Sequence, residues 1–154
     1  MELKRHQYWI NQALILAQQA GNQGEIPVGA LIIDGDDNLI AEAYNRKERE
    51  QDCTAHAEII AIREACQNLG SWRLKNCTLY VTLEPCMMCA GAIINSRLKT
   101  LVYGIDDFKT GSIRTVMNLP DSFASNHSLQ VFAGIQEKAC RELLHSWFEN
   151  HRLS

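Results

Sequence analysis

The feature that most constrains this chain is a set of metal-type side chains split between two distant segments. His56-Ala57-Glu58 stands thirty residues ahead of Pro85-Cys86-Met87-Met88-Cys89. One imidazole and two thiolates supply three ligands of the kind zinc prefers, and leave the fourth tetrahedral corner to water. Structural zinc sites close with four protein ligands, whereas catalytic ones keep a position open. Glu58, two residues from His56, is close enough to reach that water without binding the metal. Any fold that uses these residues together must bring both segments to one point.

The chain has room for such a fold. Its 154 residues are 46% hydrophobic, enough for one domain, residues 1–154, with a real core. Met1-Glu2-Leu3-Lys4-Arg5-His6 leads into a helical pattern rather than an apolar leader. The run Ala13 to Ala17 is too short to span a bilayer and is flanked by Gln12, Gln18 and Gln19. The expectation is therefore a cytoplasmic protein with no membrane partner.

Of six cysteines, only Cys86 and Cys89 have ligand spacing. Cys53, Cys66, Cys77 and Cys140 read as small buried hydrophobes. Cys53, three residues ahead of His56, is the alternative source of a fourth ligand. The net charge of −3 carries no global sign of nucleic-acid binding but leaves room for a basic face. Between Ile59 and Asn118 the basic residues Arg63, Arg73, Lys75, Arg97, Lys99, Lys109 and Arg114 outnumber Glu64, Glu84, Asp106 and Asp107.

Hydrophobic periodicity organises the rest. Apolar residues from His6 to Ala20 recur at helical steps and stop at Gly21. Val28–Ile33 and Leu39–Tyr44 read as a hairpin around the Asp34-to-Asn38 turn. Thr54 is the expected N-cap of a helix through His56 and Glu58 to Leu69, with Gly70 as its stop. Thr78–Leu83 reads as a buried strand, and Pro85 suits the first turn of a helix holding Cys86, Cys89, Ala92 and Ile93. Thr100–Tyr103, closed by Gly104, and Leu129–Phe132 are further strands. Gln136 to His151 is the last helix. A hairpin followed by strand–helix alternation predicts an α/β fold with three α/β/α layers and a central mixed five-stranded sheet. Both ligand clusters then fall at helix starts, where free N–H groups stabilise thiolates and developing anions.

H-x-E followed by P-C-x-x-C is the signature of zinc-dependent nucleobase deaminases. Beyond it, the chain resembles the bacterial tRNA-specific adenosine deaminases over nearly its whole length. The resemblance rests on Ile26-Pro27-Val28-Gly29-Ala30, on Asn45, on His56-Ala57-Glu58, and on the run from Thr82 to Ile93. It extends through Tyr103-Gly104, the loop Asp107-Phe108-Lys109-Thr110-Gly111, and Asn126-His127 with Val131 and Gly134.

The resemblance implies a cytidine deaminase-like fold that converts adenosine to inosine at wobble position 34 of tRNA. It implies one zinc per chain on His56, Cys86 and Cys89, with water activated at the metal attacking C6 of adenine and Glu58 moving the protons. Asn45 would contact the purine, Ile26 and Val28 would wall its pocket, and Asp107 and Lys109 would contact ribose and phosphate. The implied partners are a tRNA anticodon stem-loop and a second copy of the chain. Two departures from the family pattern, Asp106 before the loop and a weakly basic end of the last helix (Glu149, His151, Arg152), predict a modest electrostatic grip on a short stem-loop.

Plainer roles stand beside these. Ile26 and Val28 would be core as strand residues, Asn45 a turn residue, Asp107 and Lys109 solvated loop, and Trp147 and Phe148 an apolar helix face. His127 reads as holding a turn, not binding metal. Two other functions compete: deamination of free guanine or cytosine, and a non-catalytic zinc module that binds RNA or protein. Free-cytidine deaminases typically carry cysteine in place of His56, and a purely structural site has no use for Glu58.

Overall fold

The computed structural model describes residues 1–151; Arg152, counted above with the last helix, lies outside them. A long helix, α1 (Glu2–Asn22), leads into the hairpin β1 (Gly29–Ile33) and β2 (Leu39–Tyr44), then a single turn, α2 (Lys47–Glu50). Helix α3 (Ala57–Leu69), strand β3 (Thr78–Leu83) and helix α4 (Met87–Asn95) follow. The chain ends with β4 (Thr100–Ile105), β5 (Gln130–Phe132) and α5 (Glu137–Asn150).

The five strands form one sheet in the order β2-β1-β3-β4-β5. β1 pairs antiparallel with β2 and β3, whereas β3–β4 and β4–β5 are parallel. The sheet is mixed, as the sequence pattern requires.

Because strand side chains alternate, each central strand feeds two cores. Ala30, Ile32, Leu79, Val81, Leu101 and Tyr103 pack on the α3/α4 side with Ile60, Ala61 and Ile93. Leu31, Ile33, Tyr80 and Val102 pack on the opposite side with Ile10, Ala13 and Leu16 of α1 and Cys140 of α5. Three layers result.

Several boundaries differ from those read from sequence. Gly21 does not stop α1, which runs one residue further to Asn22; there the glycine admits Trp147, which packs against it and donates its indole N–H to the Gly21 carbonyl. Gly104 does not close β4. A Cβ there would overlap Cys140 Sγ and the Thr82 carbonyl, so the glycine lets α5 approach the sheet. Thr54 is held by Asp52, and His56 itself is the N-cap of α3. Pro85 precedes α4, whose N-cap is Cys86. Cys77 and Cys140 are buried, as expected, but Cys53 is exposed and Cys66 half-buried; all six cysteines are free thiols. Among the described residues no helix is long and apolar enough to cross a membrane.

Candidate active site

The crossover topology sets the site. Parallel pairing of β3 and β4 requires a connection that returns over one face of the sheet, and α4 provides it. Its first residue therefore lies at the end of β3, facing the start of α3. His56 and Cys86 both occupy N-cap positions in extended conformation, and neither uses its side chain to cap its helix. Instead Asn45 Oδ1 accepts the Ala57 N–H at 3.0 Å. That remote cap satisfies a free donor of α3 and leaves the His56 ring available.

His56 Nδ1 lies 3.7 Å from Cys86 Sγ and 3.6 Å from Cys89 Sγ. All three ligand atoms fall within 4.8 Å of one another. Zn–S bonds of about 2.3 Å and Zn–N bonds of about 2.0–2.1 Å give a tetrahedral N···S edge of roughly 3.6 Å. The spacing and the donor set both fit zinc. Cys53 is not part of the cluster, so the alternative fourth ligand finds no support.

The cluster is electrostatically polarised. The Cys86 thiol is held down to about 4, first by its hydrogen bond with Cys89, with His56 and the Cys89 backbone N–H adding to it against burial. Cys89 is pushed far up, by that same bond and by burial. Cys86 also raises His56, burial working against it. The three groups therefore perturb one another's protonation, and a cation that bound them would favour loss of the thiol protons, since a coordinating thiol is deprotonated. Beside them Glu58 is buried, 4% exposed, and burial pushes its carboxyl up to about 7. A carboxyl so placed exchanges protons near neutral pH.

His56, Glu58 and Cys86 line a cavity of about 590 Å³, with Cys89 buried behind them. Ile26, Val28, Asn45 and Asp107 line it as well. Asn45 Nδ2 donates to the Ile26 carbonyl at 3.1 Å; with Oδ1 on Ala57, one N–H and one lone pair of the amide remain for a substrate. Asp107 turns its carboxylate on its own loop, accepting from the N–H groups of Lys109 and Thr110 and from the Thr110 hydroxyl. Lys109 is exposed and lies outside the cavity wall. Trp147 and Phe148 do reach the cavity, so α5 is more than an apolar face. The Trp147 and His151 rings stack at 4.1 Å. His127 is a brace, its Nε2 2.6 Å from the Leu98 carbonyl.

Two buried carboxylates carry loops that sequence reasoning passed over. Glu25, 1% exposed, accepts from the N–H groups of Glu48 and Arg49 and holds α2 at the rim. Glu84 receives the loop after β4. Asp106, marked above as a departure, forms a two-pronged ion pair with Arg114 at 3.0 and 3.1 Å and accepts from Tyr103 Oη at 2.7 Å. Arg114 holds the Asp106 carboxyl below the usual carboxylate range. The two charges cancel locally, so neither adds to a basic face.

Residues 4–144 match the MafB19-like deaminase family. The tRNA-specific adenosine deaminase of Haemophilus influenzae is 48% identical over 140 residues, covering 91% of this chain and 81% of that protein. The Bacillus subtilis protein of the same name is 43% identical over 151 residues, covering 97% and 92%. Among solved structures, one from a study of A-to-I editing by tRNA:A34 deaminases superposes with a TM-score of 0.86 at 40% identity, covering 89% of this chain and 99% of the other. The guanine deaminase of Bacillus subtilis is more distant, with a TM-score of 0.62 at 34% identity and coverage of 73% and 82%. Fold, site and relatives define a nucleobase-type deaminase, and within that class the chain belongs to the tRNA-specific adenosine deaminase family.

Proposed function

We propose that this chain, as one catalytic domain, hydrolyses adenosine to inosine and ammonia at wobble position 34 of tRNA. The observation that carries the reading is the buried Glu58 beside the His56–Cys86–Cys89 cluster, with Glu58, His56 and Cys86 lining a cavity. The similarity to tRNA-specific adenosine deaminases over nine-tenths of the chain supports the substrate.

His56, Cys86 and Cys89 hold one zinc per chain. Zinc, when bound, supplies a Lewis acid and brings the ionisation of water to about pH 7. Glu58 accepts a proton from the attacking water and passes it to N1 of adenine. It then takes the second proton from the new C6 hydroxyl and delivers it to the departing amino group, so that ammonia leaves and the inosine carbonyl forms; burial suits one carboxyl to all four movements. The free N–H and lone pair of Asn45 orient the purine, and Ile26 and Val28 exclude solvent from its faces. Asp107 contacts the ribose, and Lys109, outside the wall, meets a neighbouring phosphate. The wobble nucleotide enters splayed out of the anticodon loop, as sequence-specific recognition of RNA loops permits. A cytoplasmic homodimer completes the proposal.

The test is to supply zinc-loaded protein with an A34-containing anticodon stem-loop, adenosine, guanine and cytosine, and to measure ammonia and inosine. Inosine in the stem-loop, with little release from the free compounds, is expected. Ammonia from guanine or cytosine without inosine would replace this reading with free-base deamination, the chemistry named for the more distant relative.

A further inference from the structure

Glu84 sits at the end of β3, immediately ahead of the Pro85-Cys86 turn, and its side chain is 2% exposed. Its backbone N–H continues the ladder to β4 by donating to the Ile105 carbonyl at 2.8 Å. The carboxylate then reaches across to the segment that follows β4. Oε1 accepts the Asp107 N–H at 3.0 Å and the Thr115 hydroxyl. Oε2 accepts three consecutive N–H groups, those of Ile113, Arg114 and Thr115, at 3.0, 2.8 and 3.1 Å. Successive backbone N–H groups converging on one point make an anion-binding nest; here the anion is supplied by the chain itself. Gly111 makes room, because a Cβ there would overlap Glu84 Oε1 and the Asp107 carbonyl. A further backbone bond, Ser112 N–H to the Pro85 carbonyl at 2.9 Å, fastens the same loop to the same turn.

We propose that Glu84 is a positioning residue: its buried carboxylate gathers the 107–115 loop and holds Asp107 and Thr110 at the cavity wall, next to the Cys86 turn. The substrate-facing wall is therefore preformed, and its ordering does not have to be supplied when RNA binds. This inference rests on the adenosine deaminase reading for its substrate, but the state of the loop is measurable without any substrate.

Glu84→Gln keeps the shape of the side chain and turns an N–H2 toward backbone donors, so part of the nest loses its acceptor. Thr115→Val removes one hydroxyl donor only, and Thr115→Ser restores it. Four quantities are measured on the zinc-loaded chain: amide hydrogen exchange at 107 and 113–115, zinc content, and kcat and KM on an A34 stem-loop. Losing a buried hydrogen bond to a carboxylate accelerates exchange by about tenfold or more. Glu84→Gln is expected to show that acceleration and a KM raised by about tenfold, with zinc retained and kcat changed less. Thr115→Val is expected to show smaller changes in the same directions, and Thr115→Ser parental values. Parental exchange and KM in Glu84→Gln would overturn the proposal. If Glu84→Gln does not fold, parental values in Thr115→Val would overturn it instead. Absence of inosine with the parent protein would refute the function, while the exchange rates would still decide whether Glu84 pins the loop.

Discussion

At the residue scale, the site separates holding from proton transfer. Glu58 contributes no ligand atom to the His56–Cys86–Cys89 cluster, so its removal should spare the metal. Glu58→Gln is expected to keep zinc and fold while turnover falls by at least about 10²–10⁴-fold, the usual range for a general acid–base group; metal analysis and single-turnover inosine formation check it together. Cys86→Ala should instead lose zinc, and with it all turnover.

His6 offers a test of stability. It is buried against Tyr80, with Nδ1 2.7 Å from the phenol oxygen. Burial holds it below its ordinary value, Arg5 helping and Glu2 opposing. The unfolded chain therefore binds this proton more readily than the folded one. Above about pH 6.5, the ordinary histidine value, both states are neutral and the group contributes nothing. Below it, stability is lost as pH falls toward the depressed folded value. Thermal melts from pH 7 to 5 should fall more steeply for the parent than for His6→Gln; parallel slopes would contradict this.

At the scale of elements, packing and capping decide what the sequence conceals. The convergence of His56, Cys86 and Cys89 beside Glu58 was legible because metal chemistry dictates both residue type and spacing. The sheet was legible because β1, β3 and β4 are short, nearly continuous apolar runs, as strands buried between two opposed cores must be. Gly21 and Gly104 were misread as stops because their reason is a close approach by Trp147 and Cys140, more than a hundred and more than thirty positions away. Glu25 and Glu84 left no local trace either, since a carboxylate that collects N–H groups from a distant loop has no periodicity. Asp106 read as a lost positive charge, whereas it neutralises Arg114. At Gly104 the packing has a direct consequence. Gly104→Ala forces a methyl against Cys140 and Thr82 and should cost about 1–3 kcal/mol, as overpacking does, seen as a lowered melting temperature. Cys140→Ala in the same chain should recover part of that loss.

At the scale of the whole molecule, a chain of net charge −3 has to hold a polyanion through local rather than global charge. Pairing of Arg114 with Asp106 removes one cation from the middle segment, whereas Lys109 remains exposed beside the cavity loop. Each phosphate neutralised on a single strand contributes a slope of about −0.7 in log K against log salt. Binding of the stem-loop should therefore weaken only gently with salt, and Lys109→Ala should reduce the slope by about one such increment without changing zinc content. A steep slope untouched by Lys109→Ala would put the RNA on another face. The most direct test of the whole assignment is the yield of inosine at position 34 of an anticodon stem-loop incubated with the zinc-loaded protein and, in parallel, with its Glu58→Gln variant. Complete conversion by the first and essentially none by the second, at equal zinc content, is the expected result; no inosine from the parent, or equal inosine from both, would contradict it.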